Sequence, residues 1–424
     1  MMSLQAATVH RAAKGGTLIL GGGFGGAHLA RRLGSATIIS PDSSMLFTPL
    51  LAEVAAGAIE PRHVMVPLRM MCPQADLVRG RVSGLDETAR TVTVETDAGP
   101  VAVSYRRLVI AVGSAPRMLP IPGLAQHAMT FKGVADAIRL RNHVLRMLDR
   151  ADADRRNLGR WLSFVFVGAG YAGVEAIAET RQLVQDALQH YPALRGVRQR
   201  WVLIDAAPSI LAEVPRPLAH YTHAHLRRQG VEILTSTTIR SVEGGTVTLT
   251  DGTRIDTETL VSAAGVAANP LVEALGLPLD DRGRIIVDAS LGVEGHTDIW
   301  ALGDCAAVPN AATPGRLDPA TSQHAVRQAR ALGASLALGT ALAPGTGRYW
   351  YRSIGEGATL GRGRGIARVF RWHFRGRSGA LITRAYHVQA LPVRSRRLRI
   401  LADGLLSVAL RRDIAEVGAP RPPA

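Results

Sequence analysis

Two glycine-rich stretches of the chain share the spacing G-x-G-x-x-G, which suits the binding of a pyrophosphate. In such a turn one glycine makes the tight bend, the next lets the backbone approach the phosphates, and the third lets helix and strand pack closely. The following helix N-terminus attracts the phosphate charge. The residues of the first stretch are Gly21, Gly23, Phe24, Gly25 and Gly26, and those of the second are Gly168, Gly170 and Gly173.

Each stretch lies where an apolar strand is followed by a helix, which is the context that the dinucleotide fingerprint requires. A plain glycine-rich turn is the alternative for either stretch alone. Two such stretches, each between a strand and a helix, favour a pair of dinucleotide sites.

A carboxylate at the end of the next strand accepts hydrogen bonds from a ribose in this kind of site. After the second stretch, the strand WVLID ends at Asp205, which would repel a 2′-phosphate and therefore favours NADH over NADPH. After the first stretch, the strand ATIIS ends at Ser40, with Asp42 two residues further on. Either residue could meet the ribose, and the sequence leaves both open.

Three later strands each run into a small-residue turn of the kind that passes beside a bound dinucleotide. These turns contain Gly113, Gly265 and the pair Gly303–Asp304. The carboxylate of Asp304 is suited to accept a hydrogen bond from a ribityl hydroxyl.

Cysteine and histidine usage excludes several other classes of site. Cys72 and Cys305 are too few for a disulfide framework or a four-thiolate metal site, and too far apart in sequence for a C-x-x-C redox pair. His28, His143 and His324 lack metal-ligand spacing and are expected in packing or at the surface. No metal is predicted, so any electron chemistry must depend on a bound cofactor.

The 424 residues carry a formal charge of +16, and the excess is concentrated near the C-terminus. From residue 344 onward, 16 arginines face four acidic residues, which leaves +12 in the last fifth of the chain. This asymmetry predicts an anionic partner. No recognised nucleic-acid module accompanies the charge, so a membrane surface is preferred over nucleic acid. No apolar run reaches the roughly 18–20 residues that a spanning helix needs.

The glycine motifs and three longer segments resemble the flavoproteins with two dinucleotide-binding domains and, among them, the type II NADH dehydrogenases, which are non-pumping NADH:quinone oxidoreductases. The resemblance runs from Thr17 to Val417. It implies an α/β fold with two Rossmann-like domains, FAD on the first motif, NADH on the second, and a membrane quinone as acceptor. The segments are LFTPLLAEVAAGAIEP (Leu46 to Pro61), ALGDCAA (Ala301 to Ala307) and PATSQHAVRQA (Pro319 to Ala329).

The resemblance also implies roles for single residues around the flavin. It puts the first glycine motif at the FAD pyrophosphate, Asp304 at the ribityl chain, and Thr48 and Pro49 beside the isoalloxazine ring. Glu175 resembles an acid near the nicotinamide side of the flavin. A glutamate stabilised by the helix dipole in a first helical turn is the alternative for Glu175.

On the acceptor side, Gln323 resembles a glutamine at the quinone. A helix that opens near Ala320 to Gln323 would carry Gln323 and Gln328 toward a quinone carbonyl or the flavin pyrimidine edge; two solvated glutamines are the alternative. Two departures stand out, because Ser40 replaces the usual acid and Arg327 replaces a glutamine before Gln328.

The predicted organisation is a loose extension over 1–16, a discontinuous FAD domain over 17–130 and 281–343, an NAD domain over 131–280, and a membrane-associating region over 344–424. That last region alternates apolar residues with arginines, which favours a helix lying on an anionic membrane surface. An amphipathic helix packed on the core is the alternative. A peripheral position on the cytoplasmic face of the membrane and a homodimer complete the expectations.

Two rival functions remain at this point. One is a soluble flavin reductase that passes electrons from NAD(P)H to a ferredoxin-like or other carrier protein, since an arginine-rich surface also suits an acidic partner. The other is a low-turnover redox sensor that binds FAD and NADH. Disulfide reductases and sulfide:quinone oxidoreductases are disfavoured because they need more, or closer, cysteines.

Overall fold

The structure is a computed structural model that describes residues 9–337, 348–410 and 412–418. The chain forms two compact units. The first contains the described residues within Met1–Leu46, Met65–Ala115 and Val266–Ser353, and the second those within Phe47–Val64, Pro116–Gly265 and Ile354–Ala424. Residues 1–8 of the predicted extension and the predicted boundary at residue 343 lie outside the described residues.

Both units are built from strands and helices. The strands are β1 (Val9–Ala12), β2 (Thr17–Leu20), β3 (Thr37–Ser40), β4 (Ser44–Leu46), β5 (Met65–Pro67), β6 (Asp76–Arg79), β7 (Arg81–Asp86), β8 (Thr91–Thr96), β9 (Gly99–Ser104), β10 (Arg107–Ile110), β11 (Ser114–Pro116), β12 (Met129–Thr130), β13 (Ser163–Val167), β14 (Arg200–Ile204), β15 (Val231–Leu234), β16 (Ile239–Glu243), β17 (Thr246–Leu249), β18 (Arg254–Asp256), β19 (Thr259–Ser262), β20 (Val266–Ala268), β21 (Ile285–Ile286), β22 (Ile299–Ala301), β23 (Ala306–Ala307), β24 (Gly355–Thr359), β25 (Gly365–Val369) and β26 (Trp372–Gly376). The helices are α1 (Phe24–Leu33), α2 (Leu51–Ala55), α3 (Leu68–Met71), α4 (Leu124–His127), α5 (Val134–Ala153), α6 (Leu158–Trp161), α7 (Tyr171–Ala187), α8 (Arg216–Arg228), α9 (Leu271–Ala274), α10 (Ser322–Ala337), α11 (Arg377–Ala390) and α12 (Arg394–Ala409).

The first unit is built on a parallel sheet in the order β22-β10-β2-β3-β6. All four residues of β2 are fully buried, as expected for a strand covered on both faces of a parallel sheet. Helix α1 connects β2 to β3, and α10 packs against α1. A second sheet, in the order β1-β9-β8-β7, includes β1, which lies within the segment predicted as a loose extension.

The second unit repeats this design with a parallel sheet in the order β12-β19-β13-β14-β15. Helix α7 connects β13 to β14, as α1 connects β2 to β3. In the first unit, β2 precedes the glycine motif and pairs with β3 on one side and β10 on the other. In the second unit, β13 likewise pairs with β14 and β19. The α/β fold class with two Rossmann-like halves is therefore confirmed.

Residues 47–64 belong to the second unit, because α2 packs against α5 and α7. The sequence prediction groups this segment with the first glycine motif, so the compact units and the predicted domains are drawn differently. Which nucleotide each domain binds stays a prediction.

The C-terminal region of the second unit consists of the antiparallel sheet β24-β25-β26, the helices α11 and α12, and a final extended segment. Helix α11 packs against β25, where the Thr383 hydroxyl donates to the carbonyl of Ile366 at 2.9 Å. Within the described ranges, no helix combines the length and apolar character needed to cross a membrane.

The final segment, residues 412–418, is held along α5 and α7, and we call it the tail strap. Arg141 donates to the carbonyls of Asp413 and Ala415, at 2.8 and 2.9 Å. The Arg412 guanidinium pairs with Glu179 at 2.5 Å, and the side chains of both residues are about 5% exposed or less.

Replacing Arg412 with Met should lower the free energy of unfolding by about 3–5 kcal/mol, because the buried Glu179 carboxylate loses its cation. The matched control is Arg146→Met. The Arg146–Glu416 pair of the same strap is more than a third exposed, so its loss should cost about 1 kcal/mol or less. Denaturant unfolding followed by circular dichroism measures both variants. Equal losses in the two would contradict the importance of the buried pair.

Candidate functional site

The first glycine motif forms a tight turn between β2 and α1. Gly21 has φ +107°, and a Cβ at this position would overlap the carbonyl oxygen of Ala111. A Cβ on Gly26 would overlap the carbonyl oxygen of Gly21 itself. The Cβ position of Gly23, by contrast, has no atom within 4 Å among the described residues. The turn is thus sterically closed on the strand side and open at Gly23, as a phosphate cradle requires.

The remaining residues of this motif continue the same arrangement. Gly23 is the N-terminal cap of α1, and Phe24 is the first residue of the helix. A Cβ on Gly25 would overlap the side chain of Leu302. Gly25 is therefore explained by packing within the first unit.

The second glycine motif has the same geometry in the second unit. Gly168 has φ +97°, and its Cβ would overlap the carbonyl oxygen of Ala263. A Cβ on Gly173 would overlap the carbonyl oxygen of Gly168, whereas the described chain leaves the Cβ position of Gly170 open to 4 Å. Gly170 caps α7 as Gly23 caps α1. Both turns therefore present an open second glycine at a helix N-terminus.

The residues that follow the next strand differ between the two motifs. Asp205 comes directly after β14, and its carboxylate accepts hydrogen bonds from the backbone N–H groups of Ala169 and Ala207. Ser40 is the last residue of β3 and is buried; a Cβ on Gly22 would lie 2.8 Å from its hydroxyl oxygen. Asp42 is exposed. In the first unit Ser40 is thus the polar side chain beside the glycine turn.

Asp304 lies in a short 3₁₀ turn, Gly303–Cys305, and accepts a hydrogen bond from the Ser114 hydroxyl at 2.6 Å. Gly303 has φ +77°. A small open cleft borders this turn. Its lining includes Gly303, Asp304, Asp318, Thr321 and His324.

Gln328 supports the same turn from α10. Its side-chain oxygen accepts from the Gly303 N–H at 2.7 Å, and its amide nitrogen donates to Asp318 at 2.8 Å. Gln328 is 1% exposed. A solvated side chain, one of the two predicted alternatives, is therefore wrong for Gln328.

Gln323 lies five residues before Gln328 in α10, which begins at Ser322. It is partly buried and accepts a hydrogen bond from the Tyr351 hydroxyl at 3.2 Å. The exposed Arg327 places its guanidinium 5.2 Å from the ring centre of Tyr351. Gln323 and Arg327 therefore share Tyr351 as a neighbour.

Four other predicted residues lie in short connections. Gly113 and Gly265 follow β10 and β19, with φ +69° and +91°. Thr48 and Pro49 open the 3₁₀ turn before α2, and Thr48 is exposed. Thr48 and Pro49 belong to the second unit, whereas the first glycine motif and Asp304 belong to the first unit.

Glu175 is the fifth residue of α7, so the alternative of a glutamate in the first helical turn is wrong. Its carboxylate accepts a hydrogen bond from the Thr359 N–H at 2.8 Å. Burial raises the pKa of Glu175 to about 8, which outweighs the effect of this hydrogen bond; nearby Glu53 and Glu179 also raise it.

A polar cluster in the second unit was missed at the sequence level. Glu53 of α2 pairs with Arg384 of α11, and His387 is also buried there. Burial raises the pKa of Glu53 to about 7 and lowers that of His387 to about 4. One buried polar atom on each of these residues has no hydrogen-bond partner within the described chain. The only sequence signal is a glutamate within the apolar run LLAEVAAGA.

Both cysteines are buried free thiols, as the sequence favours for Cys305. Cys72 donates to the carbonyl of Ala27, and Cys305 to that of Leu302. Burial raises the pKa of each thiol to about 11, which disfavours a reactive thiolate.

Two β-α-β halves with the same glycine geometry define a class of oxidoreductases with two dinucleotide-binding folds in one chain. Residues 16–329 match the family model described as pyridine nucleotide-disulphide oxidoreductase. The chain is 30% identical to the type II NADH:quinone oxidoreductase NdhA of Mycobacterium tuberculosis, over 85% of this chain and 80% of that protein. It is 27% identical to a probable NADH dehydrogenase of Dictyostelium discoideum, over 97% and 95% of the two chains.

Among solved structures, NDH2 from Plasmodium falciparum in complex with NADH superposes with a TM-score of 0.86. The match covers 94% of this chain and 99% of that one. Because the two sequences are only 17% identical, the match shows a shared fold. The chain therefore belongs to the pyridine nucleotide-disulphide oxidoreductase family, in its branch of type II NADH dehydrogenases.

Replacing Gly26 or Gly173 with Ala should destabilise its unit by about 1–3 kcal/mol or more, because the new Cβ meets a backbone carbonyl that cannot rotate away. Gly23→Ala and Gly170→Ala are the matched controls and should retain stability, since their Cβ positions are open. Thermal unfolding without added nucleotide measures this difference. Similar midpoints for all four variants would contradict the steric roles assigned to the glycines.

The wild-type protein should lose stability as the pH rises, and replacing Glu175 with Gln should remove this loss. Because the pKa of Glu175 is raised from 4.5 to about 8 on folding, the unfolded chain releases a proton in this window that the folded chain keeps. The wild type should therefore lose stability relative to the variant as the pH rises from about 4.5 to about 8, and the difference should level off above that. Unfolding midpoints across this range measure the effect; a difference that does not change with pH would contradict it.

Proposed function

We propose that this protein is an NADH:quinone oxidoreductase that binds FAD and does not pump protons. The observation that carries the proposal is the duplicated glycine turn, which is open at its second glycine in both copies. In the second copy alone, an acid follows the next strand directly. The relatives named type II NADH:quinone oxidoreductase support the same activity. When bound, FAD would supply the redox chemistry for a two-electron transfer from NADH to quinone.

FAD fits the first unit. Gly21, Gly23 and Gly26 would hold its pyrophosphate at the N-terminus of α1, with Phe24 and Gly25 completing the turn. Asp304 would accept from the ribityl chain while Ser114 orients its carboxylate. Ser40 takes the position of the ribose-binding acid. The further contacts proposed for FAD are Gly113 and Gly303, and the role of Thr48 and Pro49 stays a prediction from the family resemblance.

NADH fits the second unit. Gly168, Gly170 and Gly173 would hold its pyrophosphate, and Gly265 would lie beside it. Asp205 would accept hydrogen bonds from the ribose hydroxyls, and its charge repels the 2′-phosphate of NADPH. Two backbone N–H groups already fix the orientation of this carboxylate.

On the acceptor side, Gln323 would donate a hydrogen bond to the quinone. Gln328 has a different role from the direct contact first expected, because both ends of its amide are engaged within the first unit. It acts as a positioning residue that holds Gly303, and with it Asp304. Glu175 would hold a proton on its carboxyl near neutral pH.

We propose that the protein associates peripherally with a membrane and that the C-terminal arginines meet the anionic lipids of its cytoplasmic face. Helix α12 exposes Leu398, Leu405 and Leu406 at 68%, 74% and 55%. This apolar surface and the arginines at the start of α12 suit a helix that lies in the interface. A homodimer is a further prediction.

Anaerobic titration of the FAD-loaded protein with NADH tests the proposal. We expect NADH to bleach the flavin absorbance because it reduces the flavin. A short-chain quinone should restore the absorbance because, under the proposal, it accepts the electrons. Bleaching that only an acidic carrier protein reverses would favour the carrier reductase. Bleaching that neither acceptor reverses at a useful rate would favour the sensor.

Asp205→Ala is the variant that tests the assignment of the two nucleotides. The loss of the ribose contact should weaken NADH binding by roughly tenfold or more and leave FAD content unchanged. An equal loss of FAD and NADH would contradict the role of Asp205.

A further inference from the structure

The turn between β25 and β26 presents large apolar side chains to solvent. Phe370 is 66% exposed and Trp372 is 60% exposed. Ile354, whose carbonyl accepts from the Phe370 N–H at 2.7 Å, is 46% exposed. We call Ile354, Phe370, Arg371 and Trp372 the hairpin patch.

Phe370 occupies a backbone conformation that disfavours its side chain. Val369 pairs with Trp372, so Phe370 and Arg371 form a two-residue turn. Phe370 has φ +52°, in the left-handed region where glycine or asparagine is preferred and a bulky residue is strained by about 1 kcal/mol or more. Neither turn geometry nor core packing explains an exposed phenylalanine here.

Two arginines lie at the end of the sheet that carries the patch. Arg371 is in the turn itself, and Arg368 donates to the carbonyl of Phe370 at 3.2 Å while it pairs with Glu356 at 2.7 Å. The guanidinium of Arg371 lies 5.3 Å from the ring centre of Trp372. An exposed tryptophan with a cation over its face is suited to the boundary between lipid headgroups and acyl chains.

We infer that the hairpin patch inserts into the headgroup region of an anionic bilayer, as a second contact in addition to α12. This inference rests on the proposed membrane association and adds a site that the C-terminal helix does not provide. Three exposed apolar side chains offer a few hundred Å² at most, less than the ~800 Å² per partner of a stable protein interface. Insertion into lipid needs only a few aromatic side chains and nearby cations.

The test uses the FAD-loaded full-length protein and vesicles of phosphatidylcholine with or without phosphatidylglycerol. The double variant F370G/W372T keeps the turn conformation with glycine and the strand with threonine. We expect its affinity for the anionic vesicles, measured by sedimentation, to fall roughly tenfold. The control Met70→Ser removes another exposed apolar side chain, 55% accessible in α3, and should bind as the wild type does.

Acyl-chain-brominated phospholipid gives a second readout that is independent of activity. Quenching of tryptophan fluorescence in anionic vesicles should be clearly smaller in Trp372→Phe than in the wild type, because Trp372 is the tryptophan of the hairpin patch. Unchanged quenching, or unchanged vesicle binding by F370G/W372T, would overturn the inference. Binding of the hairpin patch to a protein partner would then be the alternative.

The variant L398S/L405S separates this inference from the proposed membrane association. If it releases the protein from vesicles while F370G/W372T binds normally, α12 docks and the hairpin patch does not. If the wild type binds no vesicles at any salt concentration, both proposals are wrong.

Discussion

The contact of each glycine turn with its own helix is the constraint on which the rest of the structure depends. In both units the third glycine packs against the carbonyl of the first, so no side chain fits there. This contact fixes the start of α1 and of α7 at the end of a buried strand. The helix N-terminus then lies beside the open second glycine. An anion bound there would accept hydrogen bonds from backbone N–H groups and would be stabilised by the helix dipole. Two nucleotide sites follow from one steric rule used twice.

A second layer of organisation comes from charge buried in the second unit. Glu53 and Glu179 lie almost fully buried on α2 and α7, and Arg384 and Arg412 from the C-terminal region neutralise them. A buried carboxylate without its cation would cost several kcal/mol. The C-terminal region is therefore part of the folded second unit. The raised pKa values of Glu53 and Glu175 have the same physical origin, since burial disfavours their charged forms.

The sequence predicted what depends on local pattern. Glycine spacing, the strand–turn–helix context and the position of Asp205 all follow from neighbours in the chain, and the structure agrees on each. Sequence pattern alone could not assign residues 47–64 to the second unit, because the packing of α2 on α5 and α7 joins segments far apart in sequence. Gln328 illustrates the same limit: its pattern suggested a ligand contact, whereas its burial between Gly303 and Asp318 depends on tertiary structure. Glu53 and Arg384 are 331 positions apart, and no periodicity connects them.

Apart from Arg412, whose side chain is buried against Glu179, the tail strap is held mainly through its main-chain groups. Arg141 binds the main-chain carbonyls of Asp413 and Ala415, and Asn142 exchanges two hydrogen bonds with the main chain of Val417. Almost any amino acid supplies those groups. Over evolutionary time, substitutions could accumulate at positions 415 and 417 without shifting the backbone. Relatives whose last residues show no recognisable similarity could still follow this route across the protein.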